Sequence, residues 1–239
     1  MHLLTPEQRF AELLATDASH PFVSYYDEAS GERSELSVKS LANWVAKTHF
    51  LLVDELGLGV GDTALVALPA HWISVPVLLG CLAAGLALTP EGSADVAFVS
   101  PQTLGAAAGV ADRYVIAPES ASVGLRDAVP DGGIDYVAAV RPQADAWASV
   151  QLRAQADDPC LPGLTRGATM ERAAARATEV GLAAGGRLLS AQPWATPDDW
   201  LEAVLAPLAV GGSTVLVHNC SDESVLTRRA EQERTTARL

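Results

Sequence analysis

The chain has 239 residues, room for one large or two small domains, and 49% of them are hydrophobic, enough to bury a sizeable core. Its 29 acidic side chains outweigh 16 basic ones, for a formal charge of −13 with histidine neutral. Phosphate-rich polymers and anionic membrane surfaces are therefore repelled, and neither nucleic acid nor membrane is expected as a partner.

Lys39 and Lys47 are the only lysines, against fourteen arginines, so no lysine follows residue 47. The arginine and alanine usage suits a high-GC bacterial genome. Cys81, Cys160 and Cys220 are odd in number and far apart, matching neither a disulfide framework nor a zinc site. A reduced cytoplasm is the expected compartment. The opening Met1-His2-Leu3-Leu4-Thr5-Pro6-Glu7 has no basic region followed by an apolar stretch, so no secretory leader is expected. The apolar run from Ile73 to Leu88 is shorter than the ~20 residues a bilayer crossing needs and contains Pro76; it reads as a buried helix and strand.

Taken in order, Thr5-Pro6-Glu7-Gln8 carries a capping hydroxyl, a proline at the first helical position and a glutamine placed to close a capping box. A helix should run from there to about Asp17. Residues Phe22 to Tyr26 read as a strand, Glu28 to Glu32 as a turn, and Glu35-Leu36 as the return strand of a hairpin. Ser37 then opens a long helix in which Leu41, Trp44, Val45, Thr48, Leu51, Leu52 and Leu56 recur at helical spacing, with Gly57 as its left-handed terminator. A strand from Thr63 to Leu68, a helix from Trp72 to about Ala84 and a short strand near Leu86 to Thr89 make a βαβ unit.

Val96 to Val99, Tyr114 to Ile116 and Asp135 to Val140 are β-rich runs that predict further parallel strands. Gln143 to Gly163 reads as a long surface loop or sub-domain junction within one domain spanning residues 1–239. Ala168 to Val180 predicts a helix and Arg187 to Ser190 a strand. Thr196-Pro197-Asp198-Asp199 caps a helix to about Ala209, Thr214 to Val217 is a strand, and Ser221 to Arg234 is a polar final helix. The fold class is α/β, a mainly parallel β-sheet flanked by helices.

The segment Leu56-Gly57-Leu58-Gly59-Val60-Gly61-Asp62 leading into Thr63 to Pro69 is similar to the "Gly-Val-x-x-Gly-Asp" turn that opens AMP-forming acyl-CoA ligases and adenylation domains. Leu82-Ala83-Ala84-Gly85-Leu86-Ala87-Leu88-Thr89-Pro90 resembles that superfamily's "Leu-Lys-Ala-Gly-Ala-x-x-x-Pro" segment. Ala206-Pro207-Leu208-Ala209-Val210-Gly211 through Val217 resembles its "Pro-Leu-x-x-Gly-x-x-x-Val" turn, and Glu231 to Thr236 its "Glu-x-x-x-x-Thr" helix end. Each piece alone is a common turn or cap; their shared order is specific. The resemblance implies a shortened relative of the ligases' N-terminal domain.

Adenylation needs a phosphate cradle and cations to stabilise developing charge. By the resemblance the cradle, a Ser/Thr/Gly loop ending in Pro-Lys, falls between Asp157 and the helix near Ala168. Here that stretch has Pro159 and Pro162, which donate no N–H, and no lysine. Thr165-Arg166-Gly167, ahead of a helix, is the remaining candidate anion site, against the plainer role of a turn and helix cap. Trp194 stands near the aromatic gate of the acyl pocket that the resemblance implies, or simply packs under a helix. His20, His49, His71 and His218 have no metal-ligand spacing, and no catalytic residue, metal or cofactor is assigned.

The resulting expectation is a non-catalytic, ligase-like protein acting by binding, either a small acyl or nucleotide-like ligand or a protein partner. The alternative is an enzyme with a rebuilt site. A homodimer is also expected, on the ground that the strand ending near Val217 would be left as an open sheet edge.

Overall fold

Thr5 starts the first helix through reciprocal hydrogen bonds. Its hydroxyl accepts the Gln8 N–H at 3.4 Å, and the Gln8 side chain accepts the Thr5 N–H at 3.0 Å. The computed structural model describes residues 4–239. Helix α1 (Pro6–Thr16) is followed by the antiparallel hairpin β1 (Pro21–Asp27) and β2 (Arg33–Ser37). Ser37 caps α2 (Val38–Phe50), which continues into a π-helical turn, Leu51–Glu55. Then come β3 (Thr63–Ala67), α3 (Ser74–Ala84), β4 (Ala87–Thr89), β5 (Val96–Val99), β6 (Asp112–Val115), β7 (Ile134–Asp135) and α4 (Tyr136–Val140).

The second half contains the hairpin β8 (Pro159–Leu161) and β9 (Leu164–Thr165), α5 (Arg166–Glu179) and β10 (Arg187–Ser190). Helix α6 (Pro197–Trp200) runs through a π-helical turn, Leu201–Leu205, into α7 (Ala206–Ala209). Strand β11 (Ser213–His218), α8 (Glu223–Glu233) and β12 (Ala237–Arg238) complete the described chain.

Two five-stranded sheets result. The first has order β12-β10-β11-β1-β2 and is parallel except for β2; the second, β4-β3-β5-β6-β7, is parallel throughout. Alternation along the strands divides the core. In the second sheet Ala64, Val66 and Phe98 join the large central cluster with α1, α2 and α3, while Leu65, Ala97, Val99 and Val115 pack outward against Ala107 and Val110. In the first, Val23, Tyr25 and Leu216 face the same central helices, while Tyr26, Leu189, Val215 and Val217 turn outward beneath Leu226 of α8. Helices α1, α2 and α3 thus lie between the sheets.

Three expectations change. Asp135–Val140 is a strand for only one residue, because the Asp135 carboxylate accepts the N–H groups of Val137 (2.9 Å) and Ala138 (3.3 Å) and starts α4 there. Tyr136, Val137 and Val140 are buried on one face of that turn, so the apolar run serves a helix. The stretch 143–163 is not simply a surface loop: Trp147 sits edge-on to Phe10 with ring centroids 5.2 Å apart. Finally, β11 is not a sheet edge. It lies between β1 and β10, and the edge beyond β10 is taken by β12, so the open edge invoked for dimerisation is not there.

Two close approaches fix the central layer. A Cβ on Gly80 of α3 would meet Thr48 Cβ of α2 at 2.5 Å, so the helices touch where glycine permits it. Thr48 Oγ1 also shares a 2.8 Å hydrogen bond with the buried Tyr136 hydroxyl. The second is a buried ion pair. Arg166, at the start of α5, reaches Glu7 of α1 at 2.7 Å and donates to the Leu82 and Leu86 carbonyls at 3.0 and 2.9 Å, tying α1 and α5 to the end of α3.

Candidate functional site

The carboxyl ends of parallel strands are where open α/β sheets present loops to a ligand. Here such ends from both sheets face one another across a cavity of about 1130 Å³. One wall carries Tyr25 and Asp27 from β1, Glu32 from the following turn and His218 from β11. The other carries Ala67 to Pro69 after β3, Ser100 after β5 and Glu119 after β6; Trp194 and Trp200 come from the connection after β10 and from α6.

The turn after β1 is shaped by its own side chains. Asp27 accepts from the Ala29 N–H at 3.0 Å, the Ser30 hydroxyl at 2.7 Å and the Asn219 amide at 2.8 Å, with Gly31 supplying a φ of +77°. Partial burial opposes its charge, but the bonds from Ser30 and Asn219 outweigh that and hold its carboxyl below the ordinary range. Glu32 accepts from the Trp72 indole at 3.1 Å and the Ser34 hydroxyl at 3.0 Å.

Behind Glu32, His71 is 1% exposed and packs its ring against Tyr25 at 4.3 Å. Its Nδ1 accepts the Ile73 N–H at 3.2 Å, which leaves the proton of the neutral ring on Nε2, 3.7 Å from Glu32 Oε2. Burial depresses the imidazole to about 4, so it is neutral at neutral pH. Tyr25 is 2% exposed and lines the cavity. Burial, then the charges of Asp27 and Glu32, raise its pKa.

The sequence-derived candidates part company. Trp194 lines the cavity, is 9% exposed, and its indole N–H finds no acceptor among the described residues. Thr165, Arg166 and Gly167 lie elsewhere. Thr165 caps α5 by accepting the Ala168 N–H at 3.2 Å, and Gly167 lets the chain pass Ala156, whose carbonyl would sit 3.3 Å from an added Cβ. Arg166 is fully buried and committed to Glu7, so it offers no cation to a ligand. Ser100 exchanges hydrogen bonds with Thr103, whose hydroxyl is anchored on the Ala67 carbonyl at 2.6 Å.

Sequence reasoning missed Tyr25, Asp27, Glu32, Glu119 and Trp200 as neighbours. The one local signal was the turn sequence Asp27 to Glu32 directly after a strand. Among the described residues no group of histidine, cysteine and carboxylate side chains could hold a metal ion, and no helix is long and apolar enough to cross a membrane.

These paired sheets with helices between them define an acyl-CoA-synthetase-like α/β fold. The chain superposes on a Brucella canis acyl-CoA synthetase with a TM-score of 0.79 at 16% identity, over 98% of this chain and 47% of that one. It superposes on the anthranilate CoA ligase AuaEII, solved with anthranoyl-AMP, with a TM-score of 0.72 at 13% identity, over 99% of this chain and 48% of that one. At such identity the likeness is one of fold, and the chain spans about half the length of these proteins. No family model matches the sequence. It is, however, 38% identical over 231 residues to a TIGR03089 family protein of Mycobacterium tuberculosis, covering 94% of this chain and 93% of that relative. The chain belongs to the TIGR03089 family.

Proposed function

We propose that the protein is a non-catalytic relative of the AMP-forming ligases that acts by binding a small ligand in the cavity between its two sheets. The observation that carries this is a large cavity at the strand ends whose described wall holds no lysine or arginine. Phosphoryl chemistry relies on cations placed where charge develops. The arginine nearest in sequence to the expected phosphate loop is consumed by Glu7, and no lysine follows Lys47.

Of the acyl and nucleotide-like ligands the sequence suggested, phosphate-bearing ones are disfavoured by a wall that includes Asp27, Glu32 and Glu119. The test is ATP–pyrophosphate exchange with a panel of carboxylic acids, alongside native mass spectrometry of freshly purified protein. No exchange together with a retained small molecule is the expected result. Carboxylate-dependent exchange above a protein-free control would instead establish an enzyme with a rebuilt site.

A further inference from the structure

We infer that a second cavity, at the amino end of β3, binds a zwitterion with an apolar side chain, an α-amino acid held by its ammonium and carboxylate groups. The inference does not rest on the proposed function: this cavity, of about 500 Å³, shares none of its described lining residues with the first. Leu58 and Val60 of its wall precede β3, whereas the first cavity takes the residues that follow that strand. The wall also includes His49 and Phe50 at the end of α2, Val53 and Asp54 of the π-helical turn that continues it, and Arg153 from the connection ahead of β8. A π-helical turn within a helix is frequently found at a functional site.

Asp54 and Arg153 are exposed, and alone they would describe two solvated surface charges. A buried nitrogen makes them parts of a receptor. His49 is 4% exposed, and its Nδ1 has no hydrogen-bond partner among the described residues. The Ala83 carbonyl accepts from the same ring, so the proton of the neutral imidazole sits on Nε2 and Nδ1 is left as an unused acceptor. Burial, the largest influence, holds the imidazole below its ordinary range, and Asp54 and Arg153 are both near enough to act on its charge, in opposite senses. A buried acceptor calls for a donor, and the neighbouring carboxylate favours a donor that carries positive charge, which is an ammonium. Arg153 gives Nη2 to Gln151 Oε1 at 3.1 Å and enters no ion pair among the described residues, so its other donors can take a carboxylate. Phe50, Val53, Leu58 and Val60 offer apolar surface to a side chain, and Val60 is one of three large hydrophobic residues exposed in the described chain.

Calorimetry on the full chain at neutral pH tests this with L-leucine and its two half-analogues: 4-methylpentanoate, which lacks the ammonium, and isoamylamine, which lacks the carboxylate. L-Leucine should bind saturably and about tenfold or more tightly than either. Arg153→Gln should weaken L-leucine about tenfold and leave isoamylamine unchanged, while Asp54→Asn should weaken L-leucine and isoamylamine and leave 4-methylpentanoate unchanged. Both positions are exposed, so folding is not at stake. His49→Phe removes the buried acceptor and should weaken L-leucine in the same way; where that variant fails to fold, the two exposed variants decide. No saturable binding of L-leucine, or a half-analogue that binds as tightly, would overturn the inference. So would L-leucine binding that neither Asp54→Asn nor Arg153→Gln alters, since the ligand would then lie elsewhere. Each of these results leaves the reading of the first cavity as it stands.

Discussion

Replacing Arg166 with methionine should be among the most destabilising single changes in the central layer. The guanidinium is fully buried, its partner Glu7 is 2% exposed, and it also supplies donors to the Leu82 and Leu86 carbonyls. Removing one member of a buried pair leaves the other uncompensated and costs roughly 3–5 kcal/mol. At about 2–4 °C per kcal/mol for a chain of this size, Tm should fall by roughly 6–20 °C.

Replacing both members, Glu7→Leu with Arg166→Met, removes the stranded charge and should recover about 2 kcal/mol relative to the sum of the singles. Urea denaturation of the parent, both singles and the double supplies the cycle. A Tm for Arg166→Met within about 2 °C of the parent, or strict additivity in the double, would refute the account. The pair also sets a pH dependence. Burial raises the Glu7 pKa above its ordinary 4.5, outweighing the attraction of Arg166. Between 4.5 and the raised value the folded state holds a proton that the unfolded state has released, so stability falls as pH rises through that window. Glu7→Gln is neutral at every pH and should flatten that decline.

Gly80→Ala should cost about 1–3 kcal/mol in urea denaturation, because its Cβ would press on Thr48 Cβ while Thr48 is held by Tyr136 and by the Trp44 carbonyl. Calorimetry with ATP should show no saturable micromolar binding; a clear isotherm would mean that cations reach the cavity from outside its described wall. With β11 internal and the sheet's outer parallel strand only Ala237–Arg238, light scattering should give a mass near 24.9 kDa. A mass of twice that would restore the dimer on another surface.

Much of the fold was legible because its signals are local. The capping box at Thr5, the serine at the head of α2 and the strand Arg187–Ser190 depend on residues a few positions apart, and each lies where the pattern put it. The segment 135–140 misled because a valine-rich run satisfies a strand and a short buried helix equally. The Asp135 carboxylate decides between them by capping, and it also accepts the Leu125 N–H at 2.8 Å, a bond no local pattern announces. Arg166 misled in a different way. A cation at a helix start suggests an anion, and the sequence cannot show that the anion is Glu7, 159 residues away.

The cavity was less legible for the same reason, and its sign matters most for function. Asp27 ends β1, Glu32 lies in the turn after it and Glu119 follows a strand of the other sheet, and each by itself reads as an ordinary solvated residue. Only the convergence of the strand ends turns them into one field. Two unit charges about 5 Å apart at an effective dielectric of ~20 interact by about 3 kcal/mol before solvent screening reduces it. One well-placed carboxylate therefore favours an ammonium and opposes a phosphate on a scale of tens- to a hundredfold. A fold carries no function by itself. In the AMP-forming ligases, as the resemblance implies, the site must accept a triphosphate and a carboxylate, two anions. Here the described wall of the cavity holds no lysine or arginine, Arg166 is paired with Glu7 in the core, and Asp27, Glu32 and Glu119 line the opening. Under the proposed binding role a cavity of this sign does not activate anions, and the sheets and central helices that hold it need not differ from those of the acyl-CoA synthetase fold.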